Sequence, residues 1–488
     1  MLIPGDDSAV AGAKLGRQQV KRVWALARPF RPMLLGFLFT IIASALLGLV
    51  PPLVIRKIVD DALDPASPDR TLVTVLAFVM VGVAVLDGVL SVIERWTSSR
   101  VGEGLIFDLR VRLFDHVQRM PIAFFTRTQT GALVSRMNND VIGAQRALTG
   151  TLGSVVSNGI TLVATLVAML VLEWRLTLLG VVLAPLFLLP ARRVGKRMQS
   201  LTRTGMDLNA SMNTTMTERF GVAGALLVKL FGKPEREVDS FANRAAAVRD
   251  IGVQTAMYSR AFFVGMSLVV GVGVAVVYGV GGNLVLDGTI SLGTLIALGT
   301  YVVRLYAPIQ GLANARVDVM TAFVSFDRVF EVLDTPSAIT DRPGAVDLVD
   351  PAGRIELRGV RFRYPAGSEV SISSLEEGRP LDDTRGDEVL RGIDAAIEPG
   401  QLVALVGPSG GGKTTLTSLL PRLYDVTDGA VCIDGHDVRD LTQSSLRAAI
   451  GVVSQDPHLF HDTIAANLRY AKPDATDVEL VAACRAAR

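Results

Sequence analysis

Long apolar segments alternate with polar, basic connections over the first two thirds of the chain. A helix that spans a lipid bilayer needs about 20 mostly apolar residues. Six segments approach that length: 33–55, 72–93, 151–172, 176–191, 261–286 and 291–310. Only Asp87 and Arg304 place a charge inside them. The fourth segment is short, but only Glu173, Trp174 and Arg175 separate it from the third, as in a tight hairpin. The pattern therefore predicts six membrane-spanning helices.

Basic residues concentrate in two long connections, which sets the predicted orientation in the membrane. Connections rich in Lys and Arg stay on the cytoplasmic side. The connection after the second span carries Arg95, Arg100, Arg110, Arg112, Arg119, Arg127, Arg136 and Arg146. The connection after the fourth span begins with Arg192, Arg193, Lys196 and Arg197. We therefore expect both connections and both chain termini in the cytoplasm. The lead, residues 1–30, lacks the apolar core of a signal peptide. Its basic stretch 19–29 suggests an interfacial helix, and the alternative is a solvated tail.

Each long cytoplasmic connection ends in a short apolar stretch. Leu105, Leu109, Leu113 and Val117 repeat every four residues, so the membrane helices are expected to continue into the cytoplasm. We call residues 121–131 the first tip and residues 220–232 the second tip. The large apolar side chains are Phe124 and Phe125 in the first tip and Leu230 and Phe231 in the second. If these side chains were exposed to solvent, they would favour aggregation. We therefore interpret each tip as a docking surface for another domain, as a hypothesis. The alternative is a self-packed helical hairpin.

The composition changes after the sixth span, where a soluble part is predicted. Pro, Asp and Gly are frequent in residues 335–351, which predicts a linker. Alternating apolar and polar residues then predict strand structure with a one-residue slip at Gly359. Residues 366–388 are polar and acidic and predict a disordered surface insertion. Its carboxylates are Glu369, Glu376, Glu377, Asp382, Asp383 and Asp387.

A glycine-rich loop in the soluble part fits a phosphate-binding pattern. The apolar run 402–406 predicts a strand buried on both faces, and a helix is expected to begin at Lys413 or Thr414. Gly407, Gly412, Lys413 and Thr414 match G-x-x-x-x-G-K-[ST]. Glycines let backbone N–H groups approach a polyphosphate closely. The lysine supplies a positive charge for the phosphates, and the threonine hydroxyl can bind magnesium.

Composition supports a multi-domain membrane protein. The chain has 488 residues, of which 50% are hydrophobic and 20% charged, and its mean hydropathy is +0.41. The net charge of +2 argues neither for nor against nucleic acid, and we expect no nucleic-acid partner. Cys432 and Cys484 have no metal-type spacing, and His458 and His461 have no Cys or third His beside them.

Together these features resemble a half-transporter of the ATP-binding cassette exporter family. The sequence 407–415, GPSGGGKTT, resembles the family's Walker A loop, and Tyr364 in RFRYP resembles the aromatic that stacks on adenine. Gln455 in VVSQDPHLF resembles the glutamine that contacts the magnesium site. The two tips, with the sequences from Met120 and from Leu226, resemble coupling segments that seat on nucleotide domains, and VSFDRVFEVLD from Val324 resembles the end of the sixth helix.

The resemblance implies an all-α exporter-type membrane domain of six helices, followed by an incomplete α/β P-loop nucleotide-binding domain. It implies a lead at 1–30, a membrane domain at 31–335, a linker at 336–351 and a nucleotide-binding part at 352–488. ATP and Mg²⁺ are the implied cofactors. The implied catalytic residues are Lys413 and Gln455, and the magnesium contacts are Thr414 and Gln455. The implied nucleotide-binding residues are Tyr364, Gly407, Ser409, Gly410, Gly411, Gly412, Lys413, Thr414 and Thr415.

The sequence departs from the family pattern after Gln455. It contains no LSGGQ-type signature, no Walker B aspartate with a catalytic glutamate, and no switch histidine there. We therefore expect this chain alone to bind phosphates without forming a complete hydrolytic site. The insertion 366–388 is also longer than the family's usual connection.

The resemblance implies a dimer of half-transporters, homodimeric or heterodimeric, that exports a drug-like or lipid-like molecule across the cytoplasmic membrane. An importer on the same fold and a non-hydrolysing nucleotide-binding subunit are the alternatives. Charges inside a membrane are costly unless paired or hydrated. We therefore expect Arg304 to face the translocation path, paired with Asp87 or with an anionic substrate; the alternative places both residues beyond the hydrocarbon region.

Overall fold

The computed structural model describes residues 17–65, 67–370, 372, 375, 386–455 and 457–487. A few side chains within these ranges, chiefly those of residues 180–193, lie outside the description. The chain forms two compact units. The first comprises the residues up to Gln118 together with Gly131–Thr335, and the second comprises Arg119–Thr130 together with Pro336–Arg488. The first tip therefore belongs mainly to the second unit, although it connects two membrane helices.

The membrane unit is helical throughout, as its apolar periodicity predicts. Its helices, with α5 of the second unit included in chain order, are α1 (Arg17–Ala27), α2 (Arg31–Leu47), α3 (Val50–Lys57), α4 (Arg70–Gln118), α5 (Ile122–Arg127), α6 (Thr130–Ser135), α7 (Val141–Arg146), α8 (Leu152–Leu172), α9 (Trp174–Phe220), α10 (Val222–Phe231), α11 (Pro234–Leu286), α12 (Leu292–Arg304) and α13 (Tyr306–Asp334). Helices α4, α9 and α11 have 49, 47 and 53 residues, so they exceed the bilayer thickness.

Five helical stretches of the described residues are long and apolar enough to cross a membrane. They are Lys21–Ala62, Arg70–Gln118, Thr130–Leu172, Pro234–Leu286 and Leu292–Leu312. These stretches contain five of the six predicted spans. The fourth, residues 176–191, lies in α9, and most of its side chains are outside the description. The structure therefore agrees with five predicted spans and leaves the fourth as a prediction.

Hydrogen bonds connect the first and sixth spans near the point where the first span is interrupted. Between α2 and α3 the helix is interrupted at Gly48 and Leu49. The buried Tyr301 hydroxyl of α12 donates a hydrogen bond of 2.6 Å to the carbonyl of Leu49. Asp60 accepts from the backbone N–H of Gly293 at 2.7 Å, beside the beginning of α12. These bonds satisfy polar groups at two helix ends.

The two intramembrane charges contact the same helix and do not pair with each other. Ser44 of α2 donates to the Asp87 carboxylate at 2.6 Å. One turn after Ser44, Gly48 lies against the Arg304 guanidinium. A Cβ added to Gly48 would lie 1.6 Å from Nη2 of Arg304. Among the described residues there is no ion pair between Asp87 and Arg304, so the predicted pairing is absent from this structure. Each charge instead contacts its own site on the first span.

The second unit contains an antiparallel sheet with the strand order β2-β1-β3-β4. Its elements are β1 (Ile355–Phe362), α14 (Gly367–Val370), β2 (Leu390–Ile397), α15 (Lys413–Leu419), β3 (Asp428–Ile433), β4 (His436–Asp437), α16 (Gln443–Ala448), α17 (Ile464–Arg469) and α18 (Asp477–Ala486). The predicted slip at Gly359 is confirmed, because the pairing of β1 with β2 shifts between Leu357 and Val360 and Gly359 has φ +55°. Phe362, Leu390, Leu419 and Val431 belong to the buried core.

Two predictions about this unit are wrong. The run 402–406 is not a strand, and Val406 is 93% exposed, because no described residue hydrogen-bonds to it as a neighbouring strand. The insertion 366–388 is not disordered where it begins, since it opens with α14 and buries Leu375 to 2% exposure. Four carboxylates of the insertion, Glu376, Glu377, Asp382 and Asp383, lie outside the described residues.

Candidate nucleotide-binding site

The phosphate loop leads directly into helix α15. Gly410 and Gly412 have φ +79° and +83°, in the left-handed region that favours glycine. An added Cβ on Gly412 would lie 2.8 Å from a methyl group of Leu390. Gly412 therefore has both a conformational and a steric reason to be glycine. Ser409, Gly410 and Gly411 are exposed, so their backbone faces the solvent.

Lys413 is the first residue of α15, and its side chain folds back over the loop. Its ammonium donates to the carbonyls of Gly407 at 2.8 Å and Pro408 at 2.7 Å. An ammonium has three N–H donors, so one remains for another acceptor. The positive charge is thereby held at the loop before any anion binds.

The two threonines that follow have different environments. Thr414 is exposed, and in the described part of the chain its hydroxyl has no hydrogen-bond partner. The Thr415 side chain is buried, and its hydroxyl lies 2.9 Å from the Tyr364 hydroxyl. Thr414 is therefore available to a metal ion, whereas Thr415 joins the loop helix to Tyr364.

The donor set at the loop fits a magnesium-bound polyphosphate. No cluster of three or more His, Cys, Asp or Glu side chains occurs among the described residues. Mg²⁺ usually keeps several waters and shares substrate phosphates rather than occupying an all-protein cage. The free Thr414 hydroxyl beside the exposed loop suits that mode of binding. Gln455 is exposed, and the structure records no bond between it and the loop in the described residues.

Tyr364 belongs to an aromatic cluster beside the loop helix. Its ring lies 5.0 Å from that of Phe362 and 5.3 Å from that of Tyr424, and both contacts are edge-on. Such pairs are favourable because positive ring edges meet negative ring faces. Tyr364 remains 40% exposed, so part of its ring is open to a ligand. No local sequence pattern predicts a role for Tyr424, which lies far from Tyr364 along the chain.

The first tip packs beside this cluster, within the same compact unit. Phe124 of α5 is fully buried. The Arg127 guanidinium donates to the carbonyl of Pro365 at 3.1 Å, next to Tyr364 in sequence. The Thr126 hydroxyl donates to the carbonyl of Ala123 at 3.0 Å, and its side chain lies near that of Tyr424. Burial raises the pKa of the Tyr424 phenol, Tyr364 raises it further, and the nearby Thr126 side chain opposes both. Two neighbouring residues of the tip thus contact the surroundings of Tyr364.

The second tip has the opposite environment. Its apolar side chains are largely exposed: Phe220 80%, Val222 89%, Leu226 56%, Leu227 60%, Leu230 62% and Phe231 80%. Phe220 ends the preceding helix α9, and the others lie on helix α10, between Gly221 and Gly232. An apolar patch of this kind on a soluble surface marks an interaction site.

Comparisons with known proteins cover both units. Residues 33–309 match the model of the ABC transporter transmembrane region, and residues 390–486 match the model described as ABC transporter. The chain is 30% identical over 476 residues to the putative multidrug export ATP-binding/permease protein YgaD of Bacillus subtilis, covering 96% of this chain and 78% of that protein. It is 31% identical over 471 residues to an ATP-dependent lipid A-core flippase of Syntrophus aciditrophicus, with coverages of 96% and 74%.

Proposed function

Because the chain belongs to the ABC transporter family, we propose that it is one half of a dimeric exporter that uses ATP to move an amphipathic or lipophilic molecule across the cytoplasmic membrane. The observation that carries the proposal is the first tip. This connection between two membrane helices is part of the nucleotide-binding unit and contacts residues around Tyr364. A change at the nucleotide site therefore has a direct route to the membrane helices.

ATP binding is assigned to the phosphate loop and Tyr364. The exposed backbone of residues 407–411, the backbone of Gly412 and the Lys413 ammonium bind the phosphates, and Thr414, with Gln455, contacts the magnesium ion. Tyr364 stacks on adenine through the exposed part of its ring. The magnesium ion neutralises phosphate charge when bound. We assign ATP binding, and not the complete hydrolytic step, to the residues of this sequence.

The dimer is proposed from the second tip. Its exposed apolar residues require a cover, and the first tip shows what covers such a segment in this protein: a nucleotide-binding unit. We propose that the second tip seats on the nucleotide-binding unit of a second half-transporter. Two phosphate loops would then act on one set of membrane helices as a rigid-body switch.

The substrate class rests on the relatives' names and on Arg304. Relatives are named for multidrug export and for lipid A-core flipping. Arg304 has no carboxylate partner among the described residues, although an unpaired charge in a membrane is costly. We propose that it meets an anionic group of an amphipathic substrate. Arg304→Gln should then reduce transport of an anionic lipid more than that of a neutral one, and equal losses would sink this assignment.

The substitution Lys413→Ala in the full-length protein tests the proposed function. ATP-dependent uptake of a fluorescent lipid into inverted vesicles should fall at least about tenfold, because a charged hydrogen bond to phosphate is worth more than 1.4 kcal/mol. Lys472→Ala is the matched control, since Lys472 pairs only with Glu479 at 2.8 Å. Transport by Lys413→Ala equal to that of the control would contradict the proposal.

A further inference from the structure

The beginning of the acidic insertion is apolar and buried, in contrast to its overall composition. Ala366, Val370, Ile372 and Leu375 are 3%, 7%, 4% and 2% exposed. A disordered surface segment would leave such side chains in water. Their burial shows that the described residues of this part of the insertion are packed and not held in water.

Local hydrogen bonds give the segment a defined shape. The Glu369 carboxylate accepts from the backbone N–H of Ala366 at 3.1 Å, and the backbone N–H of Glu369 donates to the carbonyl of Ala366, also at 3.1 Å. The N–H of Leu375 donates to the carbonyl of Ile372 at 2.8 Å. Two successive turns therefore place the apolar side chains on the buried side.

Helix α14 of this segment contacts helix α5 of the first tip. The same tip is held from the aromatic side, where Arg127 donates to the Pro365 carbonyl and Thr126 lies beside Tyr424. Ala123 and Phe124 of the tip are 5% and 0% exposed. The tip is thus held between the start of the insertion and the cluster around Tyr364.

Chain connectivity ties this contact to the adenine side of the site. Tyr364, Pro365 and Ala366 are consecutive, so Tyr364 cannot move without moving the start of the insertion. Tyr364 also bonds to Thr415 beside the phosphate loop. A base that stacks on Tyr364 therefore acts on a residue whose backbone is fixed to the first tip on one side and to the insertion on the other.

We propose that the described residues of this segment, Ala366–Val370 with Ile372 and Leu375, are a clamp that holds the first tip against Tyr364, so that nucleotide binding and docking of the tip stabilise each other. Val370, Ile372 and Leu375 are positioning residues in this clamp and do not touch the nucleotide. Coupling of this kind is reciprocal. If bound nucleotide raises the affinity of the tip for its site by some factor, the docked tip must raise the affinity for nucleotide by the same factor. The functional consequence rests on the proposed ATP binding, whereas the contact itself does not.

The test places a charge in the clamp of the full-length protein. In Val370→Asp and Ile372→Asp, amide hydrogen exchange of Ile122–Arg127 should become at least about tenfold faster, because a released segment opens more readily. In the unaltered protein the fluorescent nucleotide trinitrophenyl-ATP should slow that exchange, and in the variants this slowing should be lost. Asp387→Asn is the matched control, since Asp387 is an exposed residue of the same insertion. The clamp would be refuted if exchange of the tip were unchanged in both variants. It would also be refuted if nucleotide slowed exchange equally in the variants and in the unaltered protein.

Milder and complementary variants keep the test decisive. If the charged variants fail to fold, Val370→Ala and Leu375→Ala should still accelerate exchange of the tip, by a smaller factor. Lys413→Ala should remove the effect of nucleotide and leave exchange in nucleotide-free protein unchanged. A protein that binds no nucleotide would refute the proposed function, whereas nucleotide-free exchange would still report on the clamp.

Discussion

Both tips carry large apolar side chains, but these lie in different environments. Phe124 of the first tip is fully buried, whereas Phe231 of the second is 80% exposed. The first tip is one short helix, Ile122–Arg127, set among residues of the nucleotide-binding unit. The second is the longer helix Val222–Phe231 at the end of a helical hairpin. The comparison teaches that an apolar tip predicts a docking event but not whether its partner is in the same chain.

Two glycines allow the backbone of the second tip to pack closely at both ends of its helix. A Cβ added to Gly224 would lie 1.7 Å from the carbonyl oxygen of Glu218. A Cβ added to Gly232 would lie 2.6 Å from the carbonyl oxygen of Val228. Both distances are shorter than real Cβ contacts, and both neighbours are backbone. The hairpin end is therefore built tightly around exposed apolar side chains, which suits a preformed docking surface.

The largest expected difference is in stability. Phe124→Ala should lower the free energy of unfolding of the nucleotide-binding unit by about 3–5 kcal/mol, because it removes a fully buried ring and leaves a cavity. Phe231→Ala, the matched change in the second tip, should alter stability by less than about 0.5 kcal/mol. Hydrogen exchange of the slowest amides in β1 measures both. Equal losses would show that the second tip is also packed within its own chain.

The next largest effect concerns transport. Phe231→Asp should reduce ATP-dependent transport at least about tenfold, because a charge placed in a docking surface must be desolvated when the partner binds. Its folding should be unchanged, as the side chain is exposed. Ser240→Asp adds the same charge to an exposed position outside the tip and serves as control. Normal transport and normal dimer formation in Phe231→Asp would remove the proposed role of the second tip.

A smaller effect is expected where the first tip meets the aromatic cluster. Tyr424→Phe keeps the ring but removes the polar hydroxyl beside the Thr126 side chain, so the tip should lose at most about 0.5–1.5 kcal/mol of local stability. Exchange rates of Ile122–Arg127 measure this loss. Tyr470→Phe is the control, because Tyr470 is 74% exposed in the same unit. Identical rates in the two variants would mean that the hydroxyl does not hold the tip.

The smallest effect is expected beside the second tip. Arg219 pairs with Glu237 at 2.8 Å across the hairpin, and both side chains are well exposed. Surface ion pairs contribute little to stability. Arg219→Ala should therefore leave the melting temperature and the exchange of α10 unchanged within error. A clear loss would indicate that this pair helps to hold the second tip in its docking shape.

The sequence by itself determined the features that depend on neighbouring residues. Apolar segments of bilayer length, the glycine-rich loop with Lys413 and Thr414, and the slip at Gly359 are all short-range patterns. Each follows from segment length, side-chain size or backbone freedom within a few positions. The structure contains five of the six predicted spans within described helices, and it places Tyr364 beside the phosphate-loop helix through its bond to Thr415.

Only the tertiary structure decided which groups meet across long separations in the chain. Arg127 bonds to the Pro365 carbonyl, Asp87 bonds to Ser44 instead of pairing with Arg304, and the acidic insertion buries Leu375. The run 402–406 likewise needs a neighbouring strand, which no local pattern supplies. Composition states that an apolar or charged side chain needs a partner, but the partner is chosen by packing between distant segments. That choice separates the buried first tip from the exposed second tip.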